Sequence, residues 1–234
     1  MPETLESNAA VPLRKDPYYL SSADEPEIIY PEQREDDTGE TSIHAKLINR
    51  LVQMLLHFFE SRNDVFVSPN MNLYYEKGDP NKWYAPDILI AFGVPNHERS
   101  SYNIWKENLA PQVIFEVSSE RTWKNDISEK LEVYGQLGVE EYYILDPEFA
   151  YLPAPILAFH REEDRLLTVP INEGRIFSPR LGLDIVRTEN DFRLFERTTG
   201  EFLRTLKEEV ERSKESEAEV ERLRAEIARL KAEK

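Results

Sequence analysis

Pro111-Gln112-Val113-Ile114-Phe115-Glu116-Val117-Ser118-Ser119 is a strand-like run with a single carboxylate in its apolar middle. Upstream, Ala85-Pro86-Asp87-Ile88-Leu89-Ile90-Ala91-Phe92 has the same form, with Asp87 as its acid. A carboxylate inside a buried strand is costly unless a positive group meets it. Two such strands in one chain point to two carboxylates meeting at one cation. Alternate residues of a strand share a face. Ile114, Glu116 and Ser118 therefore point one way, and Val113, Phe115 and Val117 the other. Asp87 shares its face with Leu89 and Ala91.

After Glu116 the period becomes helical. Ile127, Leu131 and Tyr134 form an apolar stripe, and Gly138 suits the position just past a helix end. Glu141-Tyr142-Tyr143-Ile144-Leu145-Asp146-Pro147 reads as a strand closing in a turn. Strand, helix, strand over this length is a crossover between parallel strands. Asp126 and Lys130 are four residues apart on one face of that helix, and Lys130 is long enough to reach back to the sheet.

Working outward, Ile43, Leu47, Ile48, Leu51, Leu55 and Phe58 predict a helix capped by Thr41 or Ser42 and ending near Glu60. Val65–Ser68, Leu73–Tyr75 and Pro86–Phe92 read as strands, with a turn at Gly78–Asn81. Shorter strands are expected at Ile156–His160, Leu166–Val169, Ile176–Phe177 and Phe192–Glu196. From Glu201 the chain is rich in Glu, Arg, Lys, Ala and Leu. Leu203, Leu206 and Val210, then Val220, Leu223, Ile227 and Leu230, fall at intervals of three and four. That is a long helix with an interrupted heptad pattern, equally compatible with a solvated charged helix and with a coiled coil. The expected division is an acidic extended arm at 1–40, a core domain at 41–200 and a charged helix at 201–234.

The 234 residues, 40% of them hydrophobic, suit one domain of about 150–170 residues plus tails. No cysteine is present, which excludes disulfides, thiolate metal sites and cysteine nucleophiles and suits a cytoplasmic location. No apolar run approaches the roughly 20 residues needed to cross a bilayer. Met1–Glu6 has no signal-peptide character. The net charge of −16 divides as −8 over residues 1–40, −7 over 41–200 and −1 over 201–234. Proteins that hold nucleic acid through phosphate contacts are normally basic, so any such role here rests on a local site.

Two carboxylates, a backbone carbonyl and waters make an octahedral oxygen shell for Mg²⁺ or Mn²⁺. A neighbouring ammonium can orient water and stabilise charge developing on a phosphate. Read from residues alone, Asp87 is also a strand-entry residue after proline, Glu116 a salt-bridged glutamate, and Lys130 simply the partner of Asp126. Lys124 is a rival lysine, more commonly just solvated. Ser118 reads as a hydrogen-bonding spacer without a base to activate it. His44 is an accessory group or a partly buried helix histidine. His57, His97 and His160 lack zinc-ligand spacing. Trp83, Trp105 and Trp123 are candidates for base stacking, although packing is their commoner use.

Pro86-Asp87, Glu116-Val117-Ser118, Asp126…Lys130…Tyr134…Gly138-Val139-Glu140-Glu141-Tyr142 and Asp146-Pro147 together resemble the Uma-two family of bacterial proteins. That family has the restriction-endonuclease-like PD-(D/E)xK fold. Tyr102…Trp105, Ser119…Thr122, Ser178-Pro179-Arg180-Leu181-Gly182-Leu183 and Thr199-Gly200-Glu201…Leu203 extend the likeness over roughly residues 40–205. The resemblance implies an α/β core, a four-stranded mixed sheet flanked by helices, with a divalent-metal, nuclease-like site. In it, Asp87 matches the motif aspartate and Glu116 the acid of the second half-motif. Ser118 stands where the parent fold has lysine, and Lys130 on the adjacent helix takes that place.

These readings combine into an expectation of a Mg²⁺- or Mn²⁺-dependent endonuclease acting on nucleic acid, DNA first. Asp87 and Glu116 would bind metal, Lys130 would position the attacking water, and Asp126 would orient Lys130. The alternatives are a non-catalytic interaction module that oligomerises or recruits partners through its C-terminal helix, and a phosphoesterase for smaller substrates. A homodimer through the core or the C-terminal helix is expected, and no membrane.

Overall fold

The computed structural model describes residues 42–189 and 191–232. The expected arm at 1–40, with its aromatic segment Tyr18–Tyr30, and the Thr41 cap lie outside these residues.

In chain order the elements are α1 (Ser42–Phe58), β1 (Val65–Pro69), β2 (Leu73–Tyr74), β3 (Trp83–Tyr84), β4 (Ile88–Phe92), β5 (Tyr102–Asn103), α2 (Ile104–Glu107) and β6 (Val113–Val117). Then follow α3 (Trp123–Asp126), α4 (Glu129–Leu137), β7 (Glu141–Leu145), β8 (Ile156–Glu162), β9 (Arg165–Thr168), β10 (Arg175–Ser178), β11 (Leu183–Arg187), β12 (Phe192–Glu196), β13 (Glu201–Phe202) and α5 (Leu206–Ala232).

The fold is mixed α/β around a central mixed sheet in the order β1-β4-β6-β7-β8-β9. It has six strands, two more than the resemblance implied. Only β6 and β7 run parallel, joined by the expected helical crossover, while every other pairing of this sheet is antiparallel. Gly138 closes α4 in the left-handed conformation (φ 97°), which glycine adopts without a Cβ penalty.

The alternation read from the sequence divides the core. Val113, Phe115 and Val117 pack with Leu47, Leu51 and Leu55 of α1 and with a second, antiparallel sheet, β10-β11-β12-β13. Ile114 packs on the opposite face, with Leu89, Tyr134 and Tyr142. A small sheet, β3-β2-β5, adds Leu73 and Tyr102 to that face. Each large apolar side chain sealed in these layers contributes about 1.5–3 kcal/mol relative to exposure.

Four local differences from the sequence reading have physical causes. Ile43 is half exposed, and His44 takes its place in line with Leu47, Ile48, Leu51 and Leu55. Asp87 precedes β4 instead of sitting inside a strand that starts at Pro86, because proline offers no N–H to a ladder. The helix after Glu116 is broken into α3 and α4 by a turn at Ile127-Ser128. Finally, Glu201–Phe202 pairs with β12, and the C-terminal helix begins only at Leu206. A reciprocal cap sets that start: Glu208 N–H donates to Thr205 Oγ1 (3.3 Å), and Thr205 N–H to a Glu208 carboxylate oxygen (2.7 Å).

Candidate active site

Strand β6 carries Glu116 on the face covered by α4, and α4 returns Lys130 to it. Lys130 Nζ lies 2.9 Å from Glu116 Oε2 and 2.9 Å from Asp126 Oδ1. The ammonium thus sits beside the glutamate, and Ser118, just past β6, is at the position where the resemblance would put the parent fold's lysine. Ser118 instead donates to Asp126 Oδ2 (3.1 Å), and Tyr142 OH donates to the Asp126 carbonyl (2.9 Å). Tyr134 OH donates to Glu116 Oε1 (2.8 Å). Asp87 joins the group at the open end of β6. Its Oδ2 accepts from the Val117 N–H (2.6 Å) and lies 3.1 Å from His44 Nε2 on α1.

The structure therefore brings together Asp87, Glu116, Lys130, Asp126, Ser118 and His44. It does not bring Lys124 to them. That side chain is exposed, with its ammonium 5.5 Å from the Trp123 ring centroid. Trp83, Trp105 and Trp123 are half-buried. The sequence pattern carries no sign of the hydroxyl roles of Tyr134 and Tyr142. Both are apolar-looking members of regular patterns, and only a buried phenol's need for a partner hints at more.

Burial sets the electrostatics. The side chains of Glu116 and Asp126 are 2% and 1% exposed, whereas Lys130 and Asp87 retain 11% and 13%. Asp87 and Lys130 are thus the most exposed of these four charged groups. Burial pushes the Glu116 carboxyl up to about 8; Lys130 opposes this, and Asp87 and Asp126 reinforce it. Burial also opposes the charge on Lys130, but Glu116, Asp126 and Asp87 outweigh it and hold the ammonium above its ordinary range. The Tyr134 and Tyr142 hydroxyls are raised well above theirs, first by burial and then by Glu116, so both remain donors.

Lys130 pairs with two carboxylates, Glu116 and Asp126, while Asp87 lies against His44; with all three acids ionised and His44 neutral, the group carries a formal excess of two negative charges. The donors are all hard oxygens, so charge and chemistry both fit a divalent cation of the Mg²⁺ type. Among the described residues no three His, Asp or Glu side chains are grouped to hold a metal. A cation would therefore rest on Asp87 and Glu116, with waters or substrate oxygens completing its shell, the ordinary habit of Mg²⁺.

The family model for Uma2, described as "Putative restriction endonuclease", matches residues 27–188, more than half of the chain. The chain belongs to the Uma2 family. Among solved structures, it is similar to the crystal structure of "a putative nuclease belonging to DUF820" from Anabaena variabilis ATCC 29413. The likeness has a TM-score of 0.45 at 10% identity and covers 61% of this chain and 75% of the other. No curated protein matches the chain. Among the described residues no helix is long and apolar enough to cross a membrane.

Proposed function

We propose that this chain is a cytoplasmic, divalent-metal-dependent nuclease that hydrolyses phosphodiester bonds in nucleic acid, DNA in particular. Residues 41–200 would form the nuclease domain, with 1–40 as an appended arm and 201–234 as an appended helical segment. The observation that carries the reading is the buried group in which Lys130 pairs with both Glu116 and Asp126 while Asp87 is held nearby by His44 and the Val117 N–H, three acids to one ammonium, with Asp87 and Lys130 its most exposed members. Membership of the Uma2 family supports it.

Asp87 and Glu116 would hold Mg²⁺ or Mn²⁺. When bound, such a cation draws electron density from the scissile phosphate and eases ionisation of water. The chain's own residues do the rest. Lys130 keeps its charge and stabilises negative charge developing on the phosphate while positioning the attacking water. Asp126 orients Lys130, and Ser118 and Tyr142 fix Asp126. Tyr134 holds Glu116, while His44 and the Val117 N–H hold Asp87.

The test is cleavage of single- and double-stranded DNA and RNA with Mg²⁺ or Mn²⁺ by the wild type and Glu116→Ala. Cleavage is expected in the wild type and absent from the variant, with the thermal unfolding of both still cooperative. Equal activity in the two proteins would overturn the assignment.

One observation favours a second reading. Both Glu116 oxygens already have partners, Tyr134 and Lys130, as in a self-contained structural ion cluster. A non-catalytic interaction module built on the nuclease fold would keep this arrangement and show no stabilisation specific to divalent cations.

A further inference from the structure

Helix α5 is tied down at its start. Besides the Thr205–Glu208 cap, Arg193 pairs with Glu208 and Arg204 with Glu209. From Val210 to Arg229 every residue is exposed. The helix has 27 residues, about 40 Å of length at 1.5 Å per residue. Val220, Leu223 and Ile227 stand 44%, 46% and 53% exposed along it, an apolar line with nothing against it among the described residues.

The sequence along that line identifies its occupant. Val220, Leu223 and Ile227 are spaced three then four, and Leu230 continues the spacing in the sequence. In heptad terms Val220 and Ile227 take the a positions, and Leu223 and Leu230 the d positions. β-branched residues at a with leucine at d select two parallel strands. The flanking g positions are Glu219 and Glu226, and the flanking e positions are Arg224 and Lys231.

In a parallel, in-register pair each g residue faces the e residue five positions further on the other copy. Glu219 then meets Arg224 and Glu226 meets Lys231, on both sides of the seam. In an antiparallel pair g meets g and e meets e, which sets glutamate against glutamate and arginine against lysine. The charges thus favour one orientation and oppose the other. Glu219 is held within its own helix by Arg222 (2.8 Å), but an exposed pair of this kind contributes little and leaves the second oxygen available.

We infer that the second half of α5 is the zipper of a parallel homodimer of this chain. Its seam begins after Ser216. Further back in the same register, Glu209, Ser213 and Ser216 fall on the inward positions and cannot form an apolar contact. Because the seam spans only about two heptads, association is weak and rises with concentration. The inference does not depend on the site's chemistry, and its failure would leave the nuclease reading untouched.

Sedimentation equilibrium of the 234-residue chain, from low micromolar to several hundred micromolar, tests it. The mass should rise from monomer toward dimer. The double charge reversals E219K/E226K and R224E/K231E should each weaken association by about tenfold or more, since every pair becomes repulsive. Mixing the two variants should restore it, which simple unfolding could not do. Ser216→Cys, the sole thiol in a chain that otherwise lacks cysteine, should give a disulfide-linked dimer on oxidation, because a parallel seam brings the two copies of position 216 together. A monomer throughout, charge variants that associate like the wild type, a mixture that stays monomeric, or no cross-link at position 216 would each overturn the inference.

Discussion

Glu116 and Glu141 stand on the adjacent parallel strands β6 and β7, on opposite faces of the sheet, and are 1% and 3% exposed. Their surroundings differ in kind. Glu141 accepts from the Ser178 hydroxyl, from Tyr143 OH at 3.0 Å and from the Arg180 N–H at 2.7 Å. These donors are neutral, and two of them come from the edge of the second sheet and the turn after it. Glu141 is a clamp between layers. Glu116 instead has an ammonium, two further carboxylates and one phenol around it, a charged and over-acidic group. A buried acid satisfied by neutral dipoles holds a fold together. On the proposed reading, one crowded by other acids beside a single ammonium is where a cation would bind.

Substitutions at the two glutamates separate these roles. The largest effect is expected for Glu116→Gln, which should lower metal-dependent cleavage on the order of a thousandfold or more by removing a ligand at the reacting phosphate. Chemical unfolding without metal should show a fold no weaker than the wild type. A comparable activity loss in Glu141→Gln would erase the contrast.

Lys130→Met comes next. It strands Glu116 and Asp126 without their cation, and losing one partner of a buried ion pair costs about 3–5 kcal/mol. Urea unfolding at pH 8 should show that loss. Acidification, which neutralises the carboxylates, should recover part of it. A Lys130→Met protein as stable as the wild type at every pH would show that the ammonium does not neutralise the cluster.

The pH dependence follows from Glu116. Its folded-state carboxyl is raised to about 8, above the ordinary 4.5. The contribution of this shift to stability is therefore complete below pH 4.5 and is lost as pH rises through about 8. A cation needs the ionised carboxylate, so Mn²⁺ affinity should climb over the same range and then level off, with proton release on binding. Affinity that is flat from pH 5 to 8 would contradict the raised carboxyl.

Smaller effects should follow at the clamp and at the positioning residues. Glu141→Gln puts an amide N–H₂ where acceptors are needed and should cost about 1–3 kcal/mol without changing Mn²⁺ affinity. Tyr134→Phe removes one donor to Glu116. It should cost about 1 kcal/mol and shift the pH dependence of Mn²⁺ binding, which a merely packing role would leave in place.

Much of the candidate site was legible because it breaks local rules: Glu116 inside an apolar strand, Asp87 at the entry to another, and Lys130 four residues after Asp126 beside an apolar stripe. The helix α1 and the central strands followed from period alone. The rest depends on long-range pairing. Strand β11 carries Asp184 between apolar neighbours and declares itself only through its pairing with β10 and β12; Arg197, just past β12, reaches back to that acid at 2.6 Å. Glu201–Phe202 is too short to have a period, and it borrowed the helical pattern of the residues after it. The phenols of Tyr134 and Tyr142 looked like core because their rings are core; only the folded sheet shows what the hydroxyls hold.

The most direct measurement is isothermal titration of Mn²⁺ at pH 8 into the wild type and the Asp87→Asn, Glu116→Gln double variant. The account predicts saturable binding with proton release in the wild type and none in the variant. Equal binding by both proteins, or none by the wild type, would contradict a metal site on these two carboxylates.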